Sequence, residues 1–97
     1  MSNKQKWIRG QPCAICSNPP PSEVSHVTVA ANRGIGIKPT DEFLIPACHE
    51  CHRLEHTHGR GEVIKRKMYR IVDRWTARQI YLDLAANYEL LYQRRGV

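Results

Sequence analysis

The segment Cys48-His49-Glu50-Cys51-His52-Arg53-Leu54-Glu55-His56-Thr57-His58 constrains this chain more than any other, because a Cys-x-x-Cys knuckle runs directly into a His-x-x-x-His step. Two cysteines spaced this way turn the backbone so that both thiolates face one ion, and imidazoles four residues apart share one face of a helix. The segment therefore offers ligands to two different metal sites. Its cysteine pair is half of a tetrahedral set, and the other half is Cys13-Ala14-Ile15-Cys16, which accounts for all four cysteines. A chain of 97 residues is one domain, of a size at which a bound metal commonly supplies what packing cannot. Two such knuckles separated by 31 residues, with no apolar leader in Met1-Ser2-Asn3-Lys4-Gln5-Lys6-Trp7, read as structural zinc on Cys13, Cys16, Cys48 and Cys51 rather than as two disulfides. No run approaches the length of a membrane span, so the expected protein is soluble and cytoplasmic, with no membrane partner.

Four thiolates around one zinc leave no open position, so any chemistry must come from the histidines. His52 and His56 are the candidate ligands of a second divalent ion, with His58 as a substitute for His56. Imidazole pairs suit Zn, Ni, Co or Mn better than Mg, and two protein ligands leave coordination positions for water and phosphate oxygens. His49, inside the knuckle, reads as exposed and idle. The stretch Glu23-Val24-Ser25-His26-Val27-Thr28-Val29 alternates like a half-buried strand, with Val24 and His26 on one face. His26 can serve as a general base near neutral pH if its other nitrogen is held, and Asp41 is the candidate orienting group or else a turn residue after Pro39.

The formal charge is +6 with a pI of about 9.5. It is concentrated between Arg60 and Arg78, where seven basic residues stand against Glu62 and Asp73. Such a balance suits a polyanion as well as a solvated helix face, and Lys65, Arg66, Lys67, Arg70 and Arg74 are the candidate phosphate contacts. Between Ala30 and Thr40 a loop with two glycines carries Arg33 and Lys38, two further cations able to meet phosphate; a plain connecting loop is the better reading than a phosphate cradle.

Residues 1–12 are expected to fray, with Trp7 and Ile8 their anchors, and the prolines after Asn18 form a loop. A second short strand, Phe43-Leu44-Ile45, should end at Pro46 and pair with the first. The knuckle helix is expected to start near Cys51 or His52 and stop at Gly59-Arg60-Gly61. Beyond it, Val63 or Ile64, Met68, Ile71 or Val72, and Trp75 recur at helical spacing, opposite the basic residues. Thr76 and Gln79 form a capping box for a last helix whose seam is Ala77, Tyr81, Leu84, Tyr88 and Leu91. The aromatic residues of both helices read as core rather than as stacking platforms for bases.

A histidine-bearing strand, a loop, a second strand and Cys-x-x-Cys-His leading into a short helix resemble the HNH (ββα-metal) nuclease superfamily in its zinc-knuckle form. More narrowly, Gly34-Ile35-Gly36-Ile37-Lys38-Pro39-Thr40-Asp41, Ile45-Pro46-Ala47-Cys48 and Cys51-His52 are similar to small phage and prophage nuclease-domain proteins related to the phage recombination-enhancement nuclease. The resemblance spans residues 13–60. It implies a small α+β fold with a zinc-stapled ββα-metal core over 13–60 and a tail of two helices over 62–95. It also implies a metal-dependent DNA endonuclease of phage or prophage DNA processing, with His26 as base, His52 and His56 holding one catalytic divalent cation (Mg2+, Mn2+, Ni2+ or Zn2+), and 5′-phosphate products. Ser25 stands where many such sites have Asp or His, and the central asparagine of the motif is absent. The alternative is a non-catalytic zinc module that binds nucleic acid or a recombination-protein partner and makes no demand on His26, His52 or His56.

Overall fold

The computed structural model describes residues 2–27 and 43–95. Arg33, Lys38 and Asp41, the glycine-containing loop and the last two residues of the expected first strand lie outside them. The described chain is α+β: α1 (Asn3–Arg9), β1 (Glu23–His26), β2 (Leu44–Ala47), α2 (His49–His58), α3 (Arg60–Met68) and α4 (Arg74–Arg94). None of these helices is long and apolar enough to cross a membrane.

The two strands pair antiparallel, with Glu23 opposite Ala47 and His26 opposite Leu44. The pairing continues through Val27 N–H to the Phe43 carbonyl at 2.8 Å. Pro46 does not end β2. Its carbonyl accepts from Ala14 N–H at 2.9 Å, so this residue's backbone polar side is turned away from β1 and toward the first knuckle. A proline lacking N–H is tolerated at such an outward-facing position.

Strand alternation gives the sheet two faces, and both are covered. Val27, Ile45 and Ala47 face a core shared with Leu54 of α2, Val63 and Ile64 of α3, and Ala77, Tyr81 and Ala85 of α4. The other face meets α1, which packs against both strands. That helix replaces the frayed terminus expected from the sequence. Ser2 caps it by accepting from Gln5 N–H at 3.1 Å while the Gln5 side chain accepts from Ser2 N–H at 3.1 Å. Ile8 is fully buried, and Trp7 packs against Tyr88 and Tyr92 of α4 at centroid distances of 6.3 and 5.4 Å. Lys4 pairs with Glu89.

The helix boundaries also depart from expectation. α2 starts at His49 because Cys48 is its N-cap, its sulfur accepting from Cys51 N–H at 3.4 Å. The periodic stretch from Val63 to Trp75 is interrupted: α3 ends at Met68, where the left-handed backbone of its C-cap Tyr69 (φ 58°, ψ 35°) stops the helix. α4 is opened by Asp73, which accepts from Thr76 N–H at 2.7 Å, and not by Thr76. Consequently Val63 and Ile64 are buried, but Ile71 and Trp75 stand in solvent. In α4 the seam is Ala77, Tyr81 and Ala85, with Leu84 and Tyr88 half-buried and Leu91 exposed.

Candidate metal centres

The first centre is built by backbone hydrogen bonds that aim four sulfurs inward. Cys13 N–H donates to the Asn18 carbonyl at 2.9 Å and Ser17 N–H to the Cys13 carbonyl at 3.0 Å, closing the first knuckle. Ser17 takes a left-handed φ of 64° to complete the turn. The second knuckle is the N-terminal turn of α2. The four cysteines are unbridged, and their sulfurs lie within 4.8 Å of one another, with Cys16 Sγ and Cys48 Sγ 3.5 Å apart. A tetrahedral zinc with Zn–S bonds near 2.3 Å requires sulfurs about 3.8 Å apart, so this cage fits a structural metal such as zinc. Among the described residues it is the group of three or more cysteine, histidine and carboxylate side chains able to converge on one ion.

Electrostatics within the cage follow from crowding. Burial pushes the Cys51 and Cys16 thiols up, whereas at Cys48 burial is outweighed by hydrogen bonds, led by Cys51 N–H, and the thiol falls to about 7. A thiol that ionises near neutrality is ready to take a cation.

The second group lies on the next turns of α2. Nε2 of His56 and Nε2 of His52 are 3.0 Å apart, with the rings inclined at 62°. Two metal–nitrogen bonds of 2.0–2.1 Å, at angles between square and tetrahedral, place the nitrogens about 2.8–3.4 Å apart. His52 is held from behind, because its Nδ1 meets Glu23 Oε1 at 2.7 Å. With Nδ1–H donating to a carboxylate, the neutral ring presents the Nε2 lone pair outward, the tautomer a metal requires. The other oxygen of Glu23 meets His49 Nδ1 at 2.8 Å, so His49 is exposed but not idle. These bonds, from His52 first and then His49, hold the Glu23 carboxyl below its usual range. His58 turns to Thr57 Oγ1 at 2.8 Å, leaving His56 as the partner of His52.

His26 does not join this pair. Glu23 and Ser25 issue from the sheet face that meets α2; Ser25 Oγ donates to Glu55 at 2.9 Å. His26, one residue further, issues from the opposite face and is exposed, with no hydrogen bond among the described residues. The sequence pattern placed Val24 and His26 together correctly, but α1 packs on that side of the sheet and α2 on the other. Glu23 and Glu55 were missed as candidates: Glu23 stands two residues before Ser25 on the same face of β1, and Glu55 three residues after His52 in α2.

The basic candidates divide in two. Arg66 pairs with Glu62 at 2.8 Å and Lys67 with Glu50 at 2.7 Å, tying α3 to itself and to α2. Lys65, Arg70 and Arg74 are exposed, with no ion pair among the described residues.

No family model matches the chain, and no solved structure matches it. It is 35% identical over 52 residues to the uncharacterized protein YdfU of Escherichia coli K12. That alignment takes in 54% of this chain, which spans only 15% of the length of YdfU.

Proposed function

We propose that this protein is a metal-dependent DNA endonuclease whose divalent ion is held by His52 and His56, beside a structural zinc on the four cysteines. The observation that carries this reading is the 3.0 Å approach of the two Nε2 atoms, with Glu23 fixing the tautomer of one of them. An ion there keeps positions open to a phosphate oxygen and to water, and neutralises charge that grows on the departing oxygen. The sequence nominates His26 as base with Asp41 to orient it, but His26 issues from the sheet face opposite the pair, so this reading leaves the base unassigned.

A second reading is favoured by one observation. His26 lies on the α1 side of the sheet, away from the His52–His56 pair, as suits a zinc-stapled module that binds nucleic acid, or docks on a recombination protein, without cutting it.

Nicking of supercoiled plasmid by the zinc-loaded chain, with Mg2+, Mn2+, Ni2+, Co2+ or Zn2+ supplied in turn, separates the two. Divalent ions should be withheld for the control rather than chelated, because a chelator also strips the cysteine cage. The hydrolytic reading expects nicking that His52→Ala and His56→Ala abolish; cutting that survives both substitutions removes the histidine pair from the reaction, and absence of cutting with every ion leaves the binding module. Loss on His26→Ala assigns the base, and undiminished nicking removes His26 from the reaction.

A further inference from the structure

The junction of α3 and α4 exposes what a helical tail normally buries. Tyr69 is 90% exposed, Ile71 88% and Trp75 71%. Tyr69 holds a left-handed backbone that an aromatic residue seldom adopts, so its ring is displayed at a conformational cost. Around these three stand Arg70, Arg74 and Arg78, none in an ion pair among the described residues. The carboxylate inside this stretch, Asp73, is engaged in capping α4. Arg78 stacks on the Trp75 indole at 4.9 Å from the ring centroid, and the exposure of that ring leaves its second face open.

We infer that this junction is a binding site for single-stranded nucleic acid, with bases stacked on Trp75 and Tyr69 and phosphates held by Arg70, Arg74 and Arg78. Flat aromatic faces interleaved with guanidinium groups complement unpaired bases on a polyanionic backbone. In a duplex the base faces are covered by their neighbours, so the rings would find no partner there and only the arginines would engage. Ile71 adds apolar surface against the edge of a base. Charge selects this occupant over an apolar protein surface: three cations against the single carboxylate of Asp73, on a chain of +6, would be left largely uncompensated against such a partner. The site is separate from the histidine pair and does not depend on the hydrolytic reading.

The test is fluorescence anisotropy with a labelled deoxythymidine oligonucleotide of about 15 nucleotides, and with a duplex of the same length, on the full zinc-loaded chain carrying His56→Ala. With no free divalent ion added and this background used, binding is read apart from cutting, so failure of the nuclease proposal leaves this measurement intact. Trp75→Ala should weaken single-strand binding by roughly 5- to 100-fold, with Trp75→Phe restoring most of it, and duplex binding should be indifferent to both. Tyr69→Ala should act in the same direction, providing a second variant at a solvent-facing position should the first fold poorly. Unchanged single-strand affinity in Trp75→Ala and Tyr69→Ala overturns the inference. So does a chain that ignores the oligonucleotide and self-associates in sedimentation until Trp75→Ala makes it monomeric.

Discussion

Glu23 on β1 accepts Nδ1–H of His52 on α2 at 2.7 Å, so a two-stranded sheet and the knuckle helix are joined at the ring that presents its Nε2 to His56. The same carboxylate bonds His49 at 2.8 Å. A residue with no place in the sequence motif thereby fixes the orientation of one that has. Because β1 is held by β2, and β2 by the first knuckle through Pro46 and Ala14, the cysteine cage and the histidine pair form one mechanical unit.

Glu23→Gln should therefore weaken divalent-ion binding at His52 and His56 without unfolding the chain. An amide can still accept one hydrogen bond but removes the negative charge that makes the imidazole a better donor. Loss of such an outer partner typically costs 10- to 100-fold in metal affinity, about 1.4–2.7 kcal/mol. Calorimetric titration of Ni2+ or Co2+ into the zinc-loaded protein reads this directly, and unchanged affinity would mean that Glu23 serves only to dock the strand on the helix.

Cys51→Ser should abolish both zinc retention and folding. The sulfur is fully buried, and a serine oxygen cannot replace a thiolate in an all-sulfur cage. Apparent binding energies of structural zinc, on the order of 10–16 kcal/mol, match or exceed the whole stability of a domain, about 5–15 kcal/mol. Colorimetric zinc release with far-UV circular dichroism should show the metal and the helices lost together. A folded, zinc-free Cys51→Ser chain would assign the cage no part in stability.

Much of this architecture was legible because it depends on local spacing. The paired knuckles, the stop at Gly59, the strand bearing His26 and the two C-terminal helices are each written within a few residues. What escaped is tertiary. Ser2 and Gln5 spell a capping box, yet seven residues form a helix only because Ile8 is buried and Trp7 meets Tyr88 and Tyr92, some eighty residues away. Cys48 caps α2 through sulfur, outside the usual oxygen-bearing caps, which hid the true start of that helix. The period through Val63, Met68 and Trp75 ran across a break that depends on one left-handed residue, Tyr69, and so misplaced Trp75 in the core. Alternation in β1 identified which residues share a face with His26, but which helix covers that face depends on α1.

Gly59→Ala should destabilise the protein through backbone strain alone. Gly59 links α2 to α3 with φ 88° and ψ 166°, and a Cβ there would meet no atom within 4 Å. The clash is with the residue's own backbone, in a region open essentially to glycine only, and costs about 1–3 kcal/mol. A lower urea midpoint at unchanged m-value would be the signature; an unchanged midpoint would mean that the elbow relaxes to another conformation.

Glu89→Gln should lower stability at neutral pH and make the chain less sensitive to acid. Lys4, with only 9% of its side chain exposed, pairs with Glu89, and this bond is the leading cause that holds the Glu89 carboxyl below its ordinary value of 4.5. A carboxylate depressed in the folded state contributes stability that is fully present above the unfolded value and is lost as pH falls through the depressed one. Glu23, Glu50, Glu62 and Asp73 are depressed too, by His52, Lys67, Arg66 and the Thr76 cap respectively, and protonation of the cysteine cage adds its own acid loss. The wild-type curve therefore cannot isolate one pair, but its difference from Glu89→Gln can. That difference should be about 1–3 kcal/mol at pH 7, the size of a hydrogen bond to a charged group, and should shrink as pH falls below about 4.5. Urea denaturation of both proteins across this range measures it; a difference that stays constant through the acid range would show that Glu89 contributes by packing and not by charge.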